Sequence, residues 1–314
     1  MDDAAAFSPA DLALSELLRR LDGDGYDFVT PTPLTHARVV ARPDRQLGRS
    51  LRDILGWSLP FAADEAPEGL VECLRAAGAL TRSGERLKST IRVSRLHGRL
   101  LIHSAFPAKG DHAVFLGPDS YRFADFLERE LGGAETGRMV DVGGGSGVGA
   151  IVAATCAPGA DLLMTDVNET ALRFARVNAA HAGVRLQTQL CDGLSGAPDG
   201  LAAVLANPPY IAATQDIYSH GGDMHGGRIS LDWARAAMGR LAPGGRLLLY
   251  TGSAILAGGD DPLGAALCEL ARAHSASFRY REIDPDVFGE DLEREAYADV
   301  ERIAVVGCVI TRQT

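Results

Sequence analysis

Three short stretches of this chain carry residue types whose spacing points to chemistry. The first is Asp141-Val142-Gly143-Gly144-Gly145-Ser146-Gly147-Val148-Gly149, which follows an apolar run and leads into a helical pattern. A strand-to-helix turn this tight, with a ligand against its backbone, has no room for Cβ atoms, and Gly143, Gly144, Gly145 and Gly147 supply that room. The second is Asp166, 19 residues after Gly147 at the end of the next apolar run. An acid there accepts hydrogen bonds from both hydroxyls of a ribose. The third is Asn207-Pro208-Pro209-Tyr210, at the end of a later apolar run. Consecutive prolines fix the backbone and push the residue before them to an extended conformation, so the Asn207 side chain and the Pro208 carbonyl are rigid acceptors. They suit the two N–H donors of a planar NH2 group, and the Tyr210 ring suits stacking on the same flat group.

The elements that must position these residues begin near Gly137, where apolar runs alternate with helical patterns in the layout of a parallel sheet covered by helices. Strands are predicted at Arg138 to Val142, Ala160 to Asp166, Val184 to Leu190, Leu201 to Ala206, Gly245 to Thr251, Phe278 to Ile283 and Arg302 to Ile310. Helices are predicted at Val148 to Cys156, Glu169 to His181, Ile229 to Leu241 and Pro262 to His274. The fold class is therefore α/β, a doubly wound seven-stranded sheet with its ligand at the carboxyl ends of the strands.

At 314 residues the chain is long enough for two domains. The division predicted is 1–117, a smaller N-terminal α+β substrate-recognition domain, and 118–314, the catalytic domain. In the first, helices are expected at Pro9 to Leu21, near Leu47 to Leu55 and near Pro67 to Ala77. Strands follow at Leu87 to Val93 and Arg99 to Ser104, around a turn at His97-Gly98. Helices followed by such a two-stranded wing suit a winged-helix-like module, or else an α+β cap. A linking helix is expected at Tyr121 to Leu131.

Composition narrows the function classes. The net charge is −10, of which −1 falls in the first 120 residues and −9 in the remainder, so broad phosphate binding by the C-terminal part is disfavoured. The basic segment Arg82 to Arg99 (Arg82, Arg86, Lys88, Arg92, Arg95, Arg99 against Glu85) has the opposite sign and suits contact with RNA or an acidic protein. Five scattered cysteines without a Cys-x-x-Cys pair suggest neither zinc nor disulfides. No run is long and apolar enough for a membrane span, and an acidic start is unlike a secretory signal, so a cytoplasmic protein is expected.

With these motifs the chain resembles the class I S-adenosylmethionine-dependent methyltransferases that carry Asn-Pro-Pro-Tyr, similar to the HemK-type and methyltransferase small-domain group. The resemblance covers about 121 to 312. It implies S-adenosyl-L-methionine as cofactor, with Asp141 near the methionine ammonium, Asp166 and Val167 at the ribose end, and Cys191 and Asp192 near the adenine amino group. It also implies that the last strand inserts antiparallel beside the fifth. Asn207, Pro208, Pro209 and Tyr210 then orient a weakly nucleophilic planar nitrogen toward the sulfonium methyl, without a strong general base. The acceptor is a protein glutamine, an RNA base or a small molecule. The alternatives are a metabolite methyltransferase with a non-planar acceptor and a non-catalytic interaction protein on the same scaffold.

Several stretches depart from the best-known members. Leu201 to Ala206 lacks an acid at its head, and Tyr250-Thr251-Gly252-Ser253 replaces an acid-containing ending. A glycine-bearing loop, Ile211 to Ile229, is expected to cover the substrate, with His220 and His225 as substrate contacts and no metal. Asp284 to Glu301 inserts eight acids against the single Arg294. Because every cofactor motif lies after residue 137, the N-terminal domain is expected to select the acceptor and to be dispensable for cofactor binding.

Overall fold

The structure, a computed structural model, describes residues 7–108, 110, 112–133, 135–212 and 221–313. The N-terminal part forms α1 (Pro9–Gly23), α2 (Pro33–Val40), α3 (Leu70–Ala76), β1 (Leu80–Ser83), β2 (Arg86–Ser89), β3 (Ile91–Leu96) and β4 (Arg99–Ser104). From Pro118 come α4 (Pro118–Glu130), β5 (Thr136–Val142), α5 (Val148–Cys156), β6 (Gly159–Asp166), α6 (Glu169–His181), β7 (Gln187–Leu190), β8 (Leu201–Ala206), α7 (Arg228–Arg240), β9 (Leu241–Leu256), α8 (Pro262–Ala273), β10 (Ser277–Asp284) and β11 (Val300–Thr311). None of the described helices is long and apolar enough to cross a membrane.

The backbone gathers into two compact units, neither continuous in sequence. One holds Met1–Arg122, Gly145–Val148 and Asn168–Gln187; the other holds Phe123–Gly144, Gly149–Val167 and Thr188–Thr314.

The larger unit is built on one sheet in the order β10-β11-β9-β8-β5-β6-β7. β5 pairs parallel with β6 and β8, and β8 with β9, whereas β11 runs antiparallel to both β9 and β10. The antiparallel insertion implied by the resemblance is thus present, and all seven expected strands form. β8 reads Leu-Ala-Ala-Val-Leu-Ala because a parallel strand within the sheet is buried on both faces. On one of those faces Val204 and Ala206 pack with Val140, Val142, Leu247, Leu249 and helix residues Leu231, Ala234 and Leu267.

In the other unit α1 starts with a capping box: the Ser8 hydroxyl accepts from the Asp11 amide at 3.2 Å, and Asp11 accepts from the Ser8 amide at 3.0 Å. Asp11 also receives Arg173 of α6 at 2.5 Å, a link between α1 and the helix that follows Asp166. Leu14, Leu17, Leu18 and Leu21 of α1 are buried, along with Leu70 and Leu74 of α3.

The sequence reading of this unit needs correction in three places. Thr32-Pro33, where no helix was expected, starts α2: Thr32 caps the Thr35 amide at 3.2 Å and proline occupies the first turn. The helix expected near Leu47 to Leu55 is only a π turn at Arg52–Gly56. The strand expected from Leu87 to Val93 is broken at Thr90, where the Ser89 hydroxyl bonds both backbone groups of Ile91. The result is two hairpins, β1–β2 and β3–β4, instead of a single wing. The basic segment is correspondingly not one solvated face. Arg92 is only 3% exposed, its guanidinium 5.7 Å and 5.8 Å from the Phe28 and Phe106 ring centres, and burial pulls it down to about 10. Arg95 is tied to the Tyr26 and Gly98 carbonyls and to Asp22.

Candidate active site

Asp141, next to last in β5, is buried, 2% exposed, and its Oδ2 accepts from the Ala150 amide of α5 at 2.8 Å. Gly149 makes this approach possible, since a Cβ there would stand 2.5 Å from Asp141 Oδ1. Burial pushes Asp141 up to about 7; the Ala150 hydrogen bond opposes the rise and neighbouring Asp166 adds to it. Desolvation of this carboxylate disfavours its charged form, and a cationic group beside it would favour that form. Asp166 ends β6, also 2% exposed, and its carbonyl accepts from the Cys191 amide at 3.1 Å, which fixes the start of the Cys191-Asp192-Gly193 turn. Thr165 holds the other end of that turn, donating to the Gly193 carbonyl at 2.8 Å. Asp192 is exposed, Cys191 is half-buried, and Val167 leaves its apolar side chain 60% exposed directly after Asp166.

Gly143 and Gly144 belong to the larger unit, where the Gly144 amide donates to the Thr165 carbonyl at 3.2 Å. Trp233 of α7 lies against Gly143, whose added Cβ would meet the indole at 2.5 Å, and its Nε1 would stand 3.3 Å from a Cβ on Gly193. One aromatic plate therefore supports two of the sequence-predicted turns. Gly145 and Gly147 belong to the smaller unit and take positive φ values of 55° and 84° on either side of Ser146.

Asn207 is half-buried at the end of β8, with Pro208 buried and Pro209 half-buried behind it. Tyr210 is 7% exposed: its ring fits over Gly252 of β9, where a Cβ would come within 2.2 Å of it, and meets Phe288 edge-on at 5.9 Å. The unusual Gly252 of the fifth strand is thus the seat of Tyr210. In the same stretch Thr251 pairs with Ser230 at 2.7 Å, and Ser253 donates to Asp261, the N-cap of α8, at 2.6 Å.

His220 lies outside the described residues. The described part of its loop packs backbone to backbone on the tetrapeptide: a Cβ on Gly226 would stand 2.2 Å from the Tyr210 carbonyl oxygen. His225 contacts Asp299 through Nε2 at 2.9 Å and lies over Tyr297 with ring centres 6.4 Å apart. The acidic insert holds the chain just after the motif. The Ala212 amide donates to the Tyr297 hydroxyl at 2.7 Å, and the Ala212 carbonyl accepts from Arg294 at 3.0 Å, while Asp291 anchors Arg294 at 2.6 Å. Trp233, Tyr297, Arg294 and the buried Asn178 of α6 were not identified from the sequence. Only the lone arginine within an acidic run signalled any of them.

The arrangement joins a glycine turn with a buried acid, a second acid at the next strand end, an exposed apolar side chain beside it and a rigid amide at the fourth strand end. The methyltransferase small domain family matches residues 122–255. A release factor glutamine methyltransferase of Cereibacter sphaeroides is 33% identical over 169 residues, spanning 49% of this chain and 56% of that protein. The chain thus matches little more than half the length of that relative. The enzyme of the same name from Bordetella pertussis is 31% identical over 248 residues, spanning 77% of this chain and 87% of that one. A ribosomal RNA small subunit methyltransferase C of Pseudomonas aeruginosa is 32% identical over 117 residues, 37% of this chain and 32% of that protein. The fold, the placement of the motifs and the Bordetella relative agree: this chain belongs to the class I S-adenosylmethionine-dependent methyltransferases, in the small-domain, HemK-like family.

Proposed function

We propose that this protein transfers a methyl group from S-adenosylmethionine to a planar nitrogen, and that the acceptor is a side-chain carboxamide of a protein, in the cytoplasm. The observation that carries this is the Asn207-Pro208-Pro209-Tyr210 strand end, with a half-buried amide on a proline-fixed backbone. In this reading Asp141 receives the cofactor ammonium, Asp166 the ribose hydroxyls and Asp192 the adenine amino group, with Val167 and Cys191 beside them. The cofactor supplies an electrophilic methyl on a sulfonium.

The chain's own residues deal with the acceptor. An amide nitrogen is a poor nucleophile because its lone pair is delocalised. Two N–H bonds, to Asn207 and to the Pro208 carbonyl, turn the group so that the lone pair faces the methyl, and they strengthen as positive charge grows on nitrogen. The surplus proton that the nitrogen would carry after accepting the methyl would leave to water, so no strong general base is called for. Tyr210, seated on Gly252, fixes the motif behind the acceptor, and His225 belongs to the loop that packs on it.

A protein acceptor is supported by the relatives named for glutamine methylation and by the basic segment, where Arg92 and Arg95 serve the fold and leave fewer cations for a nucleic-acid backbone. RNA is the second reading, supported by the Pseudomonas relative. In either case residues 1–117 choose the acceptor. Incubating the protein and methyl-labelled cofactor with a cell extract divided into protein, RNA and small-molecule fractions tests this. Label in protein, released as N-methylglutamine on digestion, is expected; label in RNA or metabolites instead overturns the acceptor assignment.

A further inference from the structure

The division of labour expected from the sequence gives the N-terminal segment no part in holding the cofactor, and the wiring around Asn178 argues otherwise. Asn178 is fully buried, 0% exposed, in the last turn of α6. Its Oδ1 accepts from the Ile102 amide at 2.8 Å, and its Nδ2 donates to the Ile102 carbonyl at 2.9 Å and to the Ser146 carbonyl at 2.9 Å. One primary amide thus does the work of a paired strand residue along the free edge of β4 and, with its second N–H, grips the middle of the glycine turn. All three groups belong to the same compact unit.

The grip has a stereochemical consequence. The Ser146–Gly147 peptide is planar and trans, so fixing the Ser146 carbonyl toward Asn178 aims the Gly147 amide the opposite way. Ser146 sits between two residues with positive φ, Gly145 and Gly147, whose freedom would otherwise let this peptide rotate. The glycines that make close approach possible need an external clamp, and the clamp is anchored on the N-terminal hairpin. Further links run along the same edge. The Ser104 amide donates to the Val114 carbonyl at 3.0 Å, and Asn168, two residues after Asp166, donates to the Ala113 carbonyl at 3.2 Å.

We propose that Asn178 is a positioning residue for the cofactor, and that β4 is through it a working part of the cofactor-binding machinery instead of a detachable acceptor-recognition device. The proposal rests on cofactor binding at the glycine turn, so wild-type affinity is measured first.

The test is calorimetric titration of the full chain with S-adenosylhomocysteine, below the unfolding temperature of every variant. Asn178→Ala is expected to bind about tenfold more weakly, because the released Ser146–Gly147 peptide no longer aims the Gly147 amide and one such hydrogen bond is typically worth about 0.5–1.5 kcal/mol. Hydrogen exchange of the peptide spanning 143–149 is expected to quicken in parallel. Leu74→Ala, a core truncation in α3 of the same unit, is expected to lower the unfolding temperature and leave affinity unchanged. Should the alanine variant not fold, Asn178→Asp serves. It keeps the acceptor for the Ile102 amide but removes both donors, and is expected to weaken binding likewise. Wild-type affinity in a folded Asn178 variant, or an equal loss in Leu74→Ala, overturns the proposal. No binding by the wild type would instead sink the cofactor reading on which it rests.

Discussion

The glycine turn and the proline-locked tetrapeptide are both short, rigid ends of parallel strands, yet they are rigid for opposite reasons. The turn is made of residues that impose nothing on the backbone, and its shape comes from outside: the Ala150 amide on Asp141, the Trp233 ring on Gly143 and the Asn178 amide on Ser146. The tetrapeptide carries its own constraint in Pro208 and Pro209, and its surroundings need only seat Tyr210 and hold Ala212. Cofactor affinity should therefore respond to residues scattered over several elements, whereas turnover should respond to the motif and to the acidic insert that grips its exit. Separation of the two responses under mutation sharpens this comparison, and their collapse into one breaks it.

The largest expected effect is on the motif side. Asn207→Ala should lower turnover by about 10²- to 10³-fold, the usual result of losing one preorganised transition-state contact, and leave S-adenosylhomocysteine affinity nearly unchanged. Asn207→Asp, which keeps an acceptor oxygen, should retain more activity than alanine. Rates with the acceptor identified by labelling, beside calorimetric affinities, decide this. Affinity falling as far as turnover would mean that Asn207 mainly holds cofactor. The mirror experiment is Asp166→Ala: two ribose bonds to a charged acceptor, each contributing about 1.5–3 kcal/mol, are lost. Affinity should fall by about 10²-fold or more, with turnover at saturating cofactor much less affected.

A pH dependence is expected of the turn. Asp141 is held up to about 7, against an ordinary value of 3.8, so the free protein loses stability as pH rises from about 4 through about 7 and a buried proton must leave. Binding of an ammonium calls for the ionised form, so cofactor affinity should rise over the same range near neutrality. Between pH 8 and pH 6 it should weaken by about tenfold, the ionised fraction one unit below the midpoint being about one in eleven. Titrations at the two pH values check this, and Asp141→Asn should be weaker throughout and flat. A wild-type profile just as flat would remove Asp141 from the ammonium.

The sheet was legible because alternation of apolar runs with helical patterns is set locally, and the α5 and α6 boundaries coincide with those read from the sequence. The chemical motifs were legible for the same reason, each being a contiguous string. Their supports were not. Asn178 reads as an ordinary polar residue in an amphipathic helix until Ile102 and Ser146 are brought to it, and Gly252 reads as a lost acid until Tyr210 is seen lying over it. In the N-terminal part Ser89 broke an apparently continuous strand by bonding the backbone of Ile91, while Thr90 paired with Ala79 and Ala105, and hydrophobic periodicity registers neither. Arg92 likewise joined a run of cations in the sequence and a cluster of aromatic rings in the fold.

The smallest expected effect tests the acidic insert. Tyr297 is 1% exposed, and its ring packs with Ala212, Ala254 and Ile303, so Tyr297→Phe should keep the packing and lose only the oxygen that accepts from the Ala212 amide. A buried N–H without a partner costs about 1–3 kcal/mol, but Arg294 still holds the Ala212 carbonyl and limits how far the chain can shift. Turnover should fall by about fivefold, near the low end of that range, with cofactor affinity at the wild-type value. Tyr297→Phe combined with Arg294→Met releases both backbone groups of one residue and should cost more than the two single changes multiplied together, because each single variant leaves the other clamp closed. Equal losses of turnover and affinity in the double variant would show that the insert supports the whole domain and not the motif. Multiplicative losses would show that Tyr297 and Arg294 act on separate parts of the chain, and Ala212 would no longer be the point through which the insert reaches the tetrapeptide.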